Sequence, residues 1–260
     1  MVTIAVHDLS VDLGRRPVLR HVSADFQPAT LTGIIGPNGA GKSTLIKAML
    51  GLLPAREGTV MIDGQDRASL GVRDLARRIA YLPQGQTLHW PLSVERVVAL
   101  GRLPHLAPLS RITDLDRAAI VQAMARADVA HLAQRDATQL SGGERARVML
   151  ARALAVGTPA LVVDEPLASL DPGHQIDVMD LLAREARNGA TVVTVLHDLT
   201  MAARYCDRLI LIDGGAVVAR GTPADVLTAE TLRQVYGISA RIELAATCPM
   251  IVPIARTTGD

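Results

Sequence analysis

One nine-residue segment constrains the fold more than any other part of the chain. Residues 36–44 read Gly-Pro-Asn-Gly-Ala-Gly-Lys-Ser-Thr and fit the pattern G-x-x-x-x-G-K-[ST]. A short apolar strand, Leu31 to Ile35, precedes the segment, and helical spacing follows it. Strand, glycine-rich turn and helix in this order predict a phosphate-binding loop. The alternative is an ordinary glycine turn that caps a helix, but such a turn has no use for a lysine at position 42.

The residues of this loop are expected to act together on the phosphates of a nucleotide. Gly39 and Gly41 let the backbone approach phosphate oxygens, and the N–H groups of the helix N-terminus stabilise negative charge. Lys42 is expected to reach the outer phosphates, and Ser43 to bind Mg²⁺. The predicted nucleotide-binding residues of the loop are Gly36, Pro37, Asn38, Gly39, Ala40, Gly41, Lys42, Ser43 and Thr44.

A second segment ends an apolar strand in two acids. Residues 161–165 read Leu-Val-Val-Asp-Glu, which directs carboxylates from the carboxyl end of a strand toward the phosphate loop. Asp164 is expected to hold Mg²⁺. Glu165 is expected to accept a proton from an attacking water, a role that contributes a factor of roughly 10²–10⁴ to the rate. The alternative for Glu165 is helix capping before Pro166.

Strands alternate with helices along the chain, which predicts an α/β fold with a mostly parallel sheet covered on both faces. Ile4 to Phe26 predicts an antiparallel hairpin region, and Val94 to Leu154 has helical periodicity. Residues after Ile238 show no pattern that predicts an element. The further predicted strands are Thr59–Ile62, Ile79–Leu82, Leu161–Val163, Thr191–Leu196 and Leu209–Ile212, and the predicted helices are Ser43–Leu53, Pro172–Arg187 and Leu199–Tyr205.

The charge balance and the cysteine content limit which partners and which compartment we expect for the chain. The chain has 27 Lys and Arg against 26 Asp and Glu, so no strong field attracts nucleic acid, and no nucleic-acid partner is expected. Cys206 and Cys248 lack metal-ligand or redox spacing and are expected to be free thiols in a reducing cytosol. The N-terminus lacks a signal-peptide pattern, and the apolar runs are far shorter than the roughly 20 residues that cross a bilayer.

A third motif makes the interpretation specific. Residues 140–144 read Leu-Ser-Gly-Gly-Glu and resemble the signature sequence of the ABC ATPase family. Ser141 and Glu144 also fit a capping box, which orients the N–H groups of a helix outward and so supplies a second anion site. The resemblance implies that this site binds the ATP of a second copy of the chain through Ser141, Gly142, Gly143 and Glu144.

The family resemblance covers the chain from the first strands to about Tyr236. It implies a phosphate-loop NTPase core with an N-terminal antiparallel β subdomain and an inserted α-helical subdomain. We expect one ABC ATPase domain over residues 1–240, with the helical subdomain at about 85–157, and a short tail over 241–260. The resemblance also implies ATP and Mg²⁺ as ligands.

Three more positions match motifs of the family. Gln84 is similar to the Q-loop glutamine, which senses Mg²⁺ where the membrane partner docks. Asp171 ends a segment, Ala168 to Asp171, that resembles the D-loop of the dimer interface, with an ordinary turn as the alternative. His197 matches the switch histidine that contacts the γ-phosphate. The implied catalytic residues are Glu165, His197, Lys42 and Gln84, and the implied metal ligands are Ser43, Gln84 and Asp164.

The chain departs from the family at the adenine end of the nucleotide. Many members have an aromatic residue near the N-terminus that stacks on adenine, whereas this chain has Leu13 there. Leu13 can still give an apolar contact. Arg15 or Arg16 can lie over the base, although exposed arginines in a hairpin turn are more often solvated.

The segment from Gln84 to His105 resembles the one found in ABC importers of iron complexes, haem and cobalamin. The resemblance implies a peripheral subunit on the cytoplasmic face of the membrane, docked to transmembrane permease subunits through this segment. A periplasmic or extracellular substrate-binding protein would act indirectly. Trp90 is either an anchor in the docking groove or a buried core residue. His89 and His105 are expected to be solvated or structural.

Other functional classes remain as alternatives. A soluble ABC ATPase of DNA repair or translation usually has a coiled-coil insertion or tandem cassettes, and a nucleotide kinase has a lid in place of the Leu-Ser-Gly-Gly-Glu motif. The cassette of an exporter, or of another metal importer, is also compatible with the motifs.

Overall fold

The computed structural model describes residues 1–85, 91–107, 110–245 and 248–257. Its strands are β1 (Ile4–Leu13), β2 (Arg16–Phe26), β3 (Thr30–Ile35), β4 (Glu57–Ile62), β5 (Gln65–Asp66), β6 (Ile79–Leu82), β7 (Ala160–Asp164), β8 (Thr191–Val195), β9 (Arg208–Asp213), β10 (Ala216–Gly221), β11 (Ile238–Glu243) and β12 (Met250–Arg256). Its α-helices are α1 (Lys42–Met49), α2 (Val72–Arg78), α3 (Val94–Ala99), α4 (Asp114–Arg126), α5 (Gly142–Leu154), α6 (Pro172–Arg187), α7 (Leu199–Tyr205), α8 (Pro223–Val226) and α9 (Ala229–Tyr236). Short 3₁₀ helices span Arg67–Ser69, Leu100–His105, Ala130–Leu132 and Ala137–Gln139.

A six-stranded sheet forms the centre of the molecule, in the order β10-β9-β3-β8-β7-β6. The pairs from β9 to β6 are parallel, and only the edge strand β10 runs antiparallel to its neighbour. Strands β7 and β8 are buried along their whole length, which explains their unbroken apolar sequences. The predicted α/β fold with a mostly parallel sheet is confirmed.

Alternate residues of the central strands enter two different apolar cores. Leu161 and Val163 of β7 pack among the helices α3 to α6, whereas Val162 packs on the side of the N-terminal strands and α1. This is the period of two expected for a strand. Helices therefore cover one face of the sheet, and α1 with the N-terminal sheet covers the other.

The N-terminal strands form a separate antiparallel sheet in the order β2-β1-β4-β5. The hairpin turn between β1 and β2 follows Leu13, and Leu13 pairs with Arg16 across it. The predicted antiparallel β subdomain is confirmed. The helices predicted between β6 and β7 are also present, as α3, α4 and α5.

Several predicted elements have the predicted bounds, namely β6, α6 and α7. The predicted end of the first helix was wrong, because α1 ends at Met49 and not at Leu53. Leu50 caps the helix, and Gly51 then takes a φ of +73°, a left-handed conformation that stops helical hydrogen bonding.

The chain after Ile238, where no sequence pattern predicted an element, contains two strands. Strands β11 and β12 pair as an antiparallel hairpin, and β11 crosses residue 240, the predicted end of the domain. Thr200 at the start of α7 anchors the hairpin: its Oγ1 donates to the Ile251 carbonyl oxygen (3.0 Å) and accepts from the Ile251 N–H (3.1 Å). The domain boundaries themselves remain a prediction.

Among the described residues, no helix has both the length and the apolar character needed to cross a membrane. Both cysteines are free, Cys206 in the interior and Cys248 at the surface.

Candidate functional site

The phosphate loop lies between β3 and α1, and two glycines shape it. Gly36 has a φ of +147°, and a Cβ at this position would lie 2.0 Å from the carbonyl oxygen of Ile212 in β9. Gly41 has a φ of +106° and is the N-cap of α1. Both positions therefore require glycine, because any side chain would force the loop away from the sheet or strain its backbone.

Lys42 lies beneath the loop with only 5 % of its surface exposed. Its Nζ donates to the carbonyl oxygens of Gly36 (2.8 Å) and Pro37 (2.9 Å). Burial lowers the pKa of this amine, and the charges of Glu165 and Asp164 oppose that shift. The side chain is thus a desolvated cation held at the base of the loop, where an anionic ligand gains most from it.

Ser43 and Asp164 meet at the carboxyl ends of the central strands. Ser43 Oγ donates to Asp164 Oδ1 at 3.1 Å, and Asp164 is 2 % exposed. Burial raises the pKa of the Asp164 carboxyl, and the hydrogen bond from Ser43 opposes the shift. A hydroxyl and a carboxylate side by side are the oxygen donors that Mg²⁺ takes in nucleotide sites, with phosphates and waters completing its shell.

No group of three or more His, Cys, Asp or Glu side chains that could hold a metal occurs within the described ranges. A magnesium ion does not need such a group, because it is usually bound by one or two carboxylates together with the substrate phosphates. Burial, and to a smaller extent the charge of Asp164, raise the pKa of Tyr81 to about 12.

Glu165 brings together two other predicted residues. Its Oε2 accepts from Gln84 Nε2 at 2.5 Å, and its Oε1 lies 2.6 Å from His197 Nε2. The backbone of Glu165 has a φ of +51°, an unfavourable conformation for a non-glycine residue that recurs at functional sites. The turn after β7 therefore aims this carboxylate between the loops that follow β6 and β8.

A cavity of about 720 Å³ opens in front of the phosphate loop, a size suited to a nucleotide. Lys42, Ser43, Thr44 and Glu165 line its inner end. Leu13 and Arg16 line it from the N-terminal hairpin, as expected for residues near the adenine end, whereas Arg15 is not in its wall.

Sequence reasoning missed two parts of this site. Gly214 and Gly215 in the β9–β10 turn line the cavity, and the Gly215 carbonyl oxygen accepts a hydrogen bond from the Arg20 N–H at 2.8 Å. Tyr236, the last residue of α9, accepts a hydrogen bond from the Gly36 N–H, and burial raises its pKa. Paired glycines at 214–215 were an available turn signal, but no local signal marks Tyr236.

The signature residues lie at the start of α5. Ser141 is the N-cap: its Oγ accepts from the Glu144 N–H (3.2 Å), and Glu144 Oε2 accepts from the Ser141 N–H (2.8 Å). Arg135 binds the other oxygen of Glu144 at 2.9 Å. Ser141 and Gly142 are exposed, so the start of α5 lies at the surface of the chain. None of these signature residues is among the described residues that line the phosphate-loop cavity.

Asp171 and the start of α6 pack against the signature. Asp171 caps α6, where its carboxylate accepts from the His174 N–H at 3.0 Å and contacts His174 Nδ1 at 2.5 Å. The His174 ring in turn covers Gly143, where a Cβ would lie 2.1 Å from the ring Cδ2. Asp171 therefore lies beside the signature and not beside the phosphate loop of its own chain.

A second cavity, of about 430 Å³, lies between α5 and the loop that carries Gln84. Gly142 and Arg145 line one side, and Asp164 and Glu165 line the other. Of the remaining predicted contact residues, His105 binds the Val156 carbonyl oxygen through Nε2 at 2.8 Å. His89 and Trp90 lie outside the described residues.

Known proteins resemble this chain in sequence over most of its length. Residues 19–168, more than half of the 260, match the family model described as ABC transporter. The chain is 45 % identical over 235 residues to the cobalamin import ATP-binding protein BtuD of Halobacterium salinarum, covering 90 % of this chain and 58 % of that protein. It is 42 % identical over 245 residues to the hemin import ATP-binding protein HmuV of Pseudomonas fluorescens, covering 92 % of this chain and 94 % of that protein.

Among solved structures, a nucleotide-free ATP-binding cassette from an ABC transporter is similar, with a TM-score of 0.78 and 26 % identity over 91 % of this chain and 95 % of that one. The resemblance to haem and cobalamin importers, predicted from the sequence, is confirmed by the names of these relatives. By its sequence motifs, its fold and these matches, the chain belongs to the ABC transporter family.

Proposed function

We propose that this chain is the ATP-binding and ATP-hydrolysing subunit of an ABC importer and acts as a pair of identical chains. The observation that carries the proposal is the separation of two anion-binding surfaces. The phosphate loop lines one cavity, whereas Ser141 and Gly142 lie at the exposed start of α5 and do not line that cavity. A nucleotide bound at the loop of one copy can then meet the signature of the other.

Nucleotide binding rests on the phosphate loop. Its N–H groups, the N-terminus of α1 and the Lys42 ammonium stabilise the phosphates. Mg²⁺, held by Ser43 and Asp164 with Gln84 nearby, would neutralise charge on the phosphates when bound. At the other end of the cavity, Leu13 supplies an apolar surface and Arg16 a guanidinium for the base.

Hydrolysis requires a base, and we assign that role to Glu165. Its carboxylate accepts the proton as the oxygen of a water molecule attacks the γ-phosphorus and the bond to ADP breaks. The contacts with Gln84 and His197 hold the carboxylate in one orientation. Gln84 and His197 lie in separate loops, after β6 and after β8, and both are proposed to sense the γ-phosphate.

Closure and reopening of the proposed dimer depend on the negative charge of the γ-phosphate. The γ-phosphate joins the loop of one copy to Ser141, Gly142, Gly143 and Glu144 of the other, with Asp171 alongside. Hydrolysis and release of phosphate remove the shared anion, and the two surfaces separate. The proposed partners are permease subunits that dock through Gln84 to His105 at the cytoplasmic face of the membrane, and indirectly a periplasmic or extracellular substrate-binding protein.

The names of the relatives support a haem or cobalamin cargo, and the resemblance of the segment from Gln84 to His105 adds iron complexes as a third proposed class. In the assembled transporter, one of these compounds, delivered by its binding protein, should stimulate ATP hydrolysis. Lack of stimulation by ferric chelates, haem and cobalamin alike would reject this cargo class but leave the ATPase assignment intact.

The substitution Glu165→Gln tests the proposed ATP hydrolysis and the proposed dimer. It keeps the shape of the side chain and removes its basicity, so ATP binding should persist while turnover falls by roughly 10²–10⁴-fold. Because the γ-phosphate is then retained, ATP should drive the variant into a stable dimer, measured by sedimentation velocity. Near-normal hydrolysis would reject the base assignment, and a monomer at saturating ATP would reject the shared site.

A further inference from the structure

The 3₁₀ helix Leu100–His105 packs against the C-terminal end of the signature helix α5. A Cβ on Gly101 would lie 2.1 Å from the Arg152 carbonyl oxygen and 3.0 Å from the Ala155 side chain. Only glycine allows the two backbones to approach this closely. The contact therefore fixes how the segment that follows Gln84 lies against α5.

Arg102 binds the last carbonyl groups of this helical stretch. Its Nη1 donates to the carbonyl oxygens of Ala155 (2.7 Å) and Val156 (3.0 Å). Carbonyl groups at the C-terminus of a helix lack partners within the helix and carry partial negative charge, so a guanidinium is well suited to them. His105 adds a second hydrogen bond to Val156 at 2.8 Å.

Asp116 near the start of α4 holds Arg102 in this position. Its Oδ1 accepts from Arg102 Nε at 2.9 Å, and only 12 % of the Arg102 side chain and 7 % of the Asp116 side chain are exposed. The Asp116 Oδ2 accepts from the N–H and hydroxyl of Thr113, and chiefly these bonds lower the pKa of Asp116 to about 2. The carboxylate thus stays ionised at physiological pH and orients the guanidinium continuously.

The same segment is also tied to α2. Arg73 Nε and Arg77 Nε both donate to the Pro104 carbonyl oxygen at 2.9 Å. The 3₁₀ helix consequently links α2, α4 and α5, and any displacement of it is transmitted to the end of α5.

We propose that Arg102, oriented by Asp116, is a positioning residue for the shared nucleotide site. Helix α5 has 13 residues and is about 20 Å long. Because the helix is rigid and Arg102 and His105 hold one end, the direction of its axis, and with it the position of Ser141 at the other end, depends on that attachment. The proposal rests on the proposed function, since it requires the Ser141 end to contact the ATP of a second copy.

The test uses Arg102→Lys in the Glu165→Gln chain. A lysine ammonium keeps the charge but cannot bind Asp116 and two carbonyl groups with the geometry of a guanidinium fork. The ATP concentration that gives half-maximal dimer should rise about tenfold, as expected for misplacement of a binding surface by less than 1 Å. Affinity of the monomer for a fluorescent ATP analogue, which depends on the phosphate loop, should not change.

Two further variants make the result decisive. His105→Ala removes one bond to Val156 and should shift dimer formation in the same direction by a smaller factor, which covers the case in which Arg102→Lys does not fold. Arg117→Lys alters an exposed ion pair with Asp114 and should leave dimer formation unchanged.

Unaltered ATP dependence of dimer formation in Arg102→Lys and His105→Ala would overturn the proposal. So would a parallel loss of monomer affinity and of melting temperature, because that result indicates a general structural role. If the Glu165→Gln parent itself does not dimerise with ATP, the proposed function fails and the inference falls with it.

Discussion

The charged form of the Asp164 carboxylate, which is proposed to bind Mg²⁺, lowers the free energy of unfolding of the protein. It is buried, and burial raises its pKa, so the ionised form is less stable in the native protein than in the unfolded chain. The native state therefore binds the proton more tightly. The free energy of unfolding consequently falls as pH rises from the ordinary pKa of 3.8 toward the raised native value, and the loss persists at neutral pH.

The substitution Asp164→Asn should accordingly raise the melting temperature at pH 7 in the absence of nucleotide and Mg²⁺. The amide oxygen can still accept the hydrogen bond from Ser43, while the buried charge is gone. Hydrolysis should fall by at least about 10²-fold, because a charged ligand of the metal is lost. Asp114→Asn, at a side chain that is 95 % exposed, is the control and should change the free energy of unfolding by less than about 0.5 kcal/mol.

The outcome is read by differential scanning calorimetry over a pH series and by a phosphate-release assay. A lower melting temperature for Asp164→Asn at pH 7, with the control unchanged, would show that the carboxylate stabilises the fold and would contradict the assignment.

Among the elements, α5 begins with the signature residues, and its first turn is tightly packed at Gly143. Gly142 and Gly143 are consecutive residues of one helix, yet their surroundings differ. A Cβ on Gly142 would lie 3.9 Å from the Ser169 carbonyl oxygen, whereas a Cβ on Gly143 would lie 2.1 Å from His174 Cδ2. The hydrogen bond to Asp171 keeps the His174 ring from moving aside.

This contrast predicts opposite effects of two alanine substitutions. Gly143→Ala should lower the free energy of unfolding by about 1–3 kcal/mol through overpacking. Gly142→Ala should leave it unchanged or raise it by up to about 1 kcal/mol, because alanine is the better helix former. Urea denaturation of both variants measures the difference, and equal destabilisation would mean that His174 does not restrict this position.

The elements that sequence could predict are those whose signals are local. The phosphate loop combines a strand, glycines and a helix start within a short stretch, and β7 and β8 are unbroken apolar runs. Strand β11 also has a local signal that went unused, since Ile238, Ala240 and Ile242 alternate with polar residues. Its partner β12 contains Pro253, which argues against a strand unless the position is at an edge.

The contacts that sequence could not predict join residues far apart in the chain. Tyr236 contacts Gly36, and Arg102 binds the Ala155 carbonyl oxygen, only because the tertiary structure brings these residues together. The segment from Gln84 to His105 has a family resemblance in its sequence, but the attachment of its residues Arg102 and His105 to the end of α5 depends on the tertiary structure.

At the scale of the whole molecule, the proposed function requires that the phosphate loop and the signature act on the same ATP only when they come from different chains. Lys42 belongs to one half of that site, and Ser141 to the other. A chain that lacks either half should therefore be inactive alone, and two different defective chains should complement each other when mixed.

The most direct measurement is ATP hydrolysis by an equimolar mixture of Lys42→Ala and Ser141→Asp chains. Aspartate still caps α5 but places a negative charge where the γ-phosphate must bind. Half of the randomly formed dimers are mixed, and each has one intact site, so activity should recover to about a quarter of the wild-type value if sites act independently. No recovery, or full activity of Ser141→Asp alone, would contradict the account.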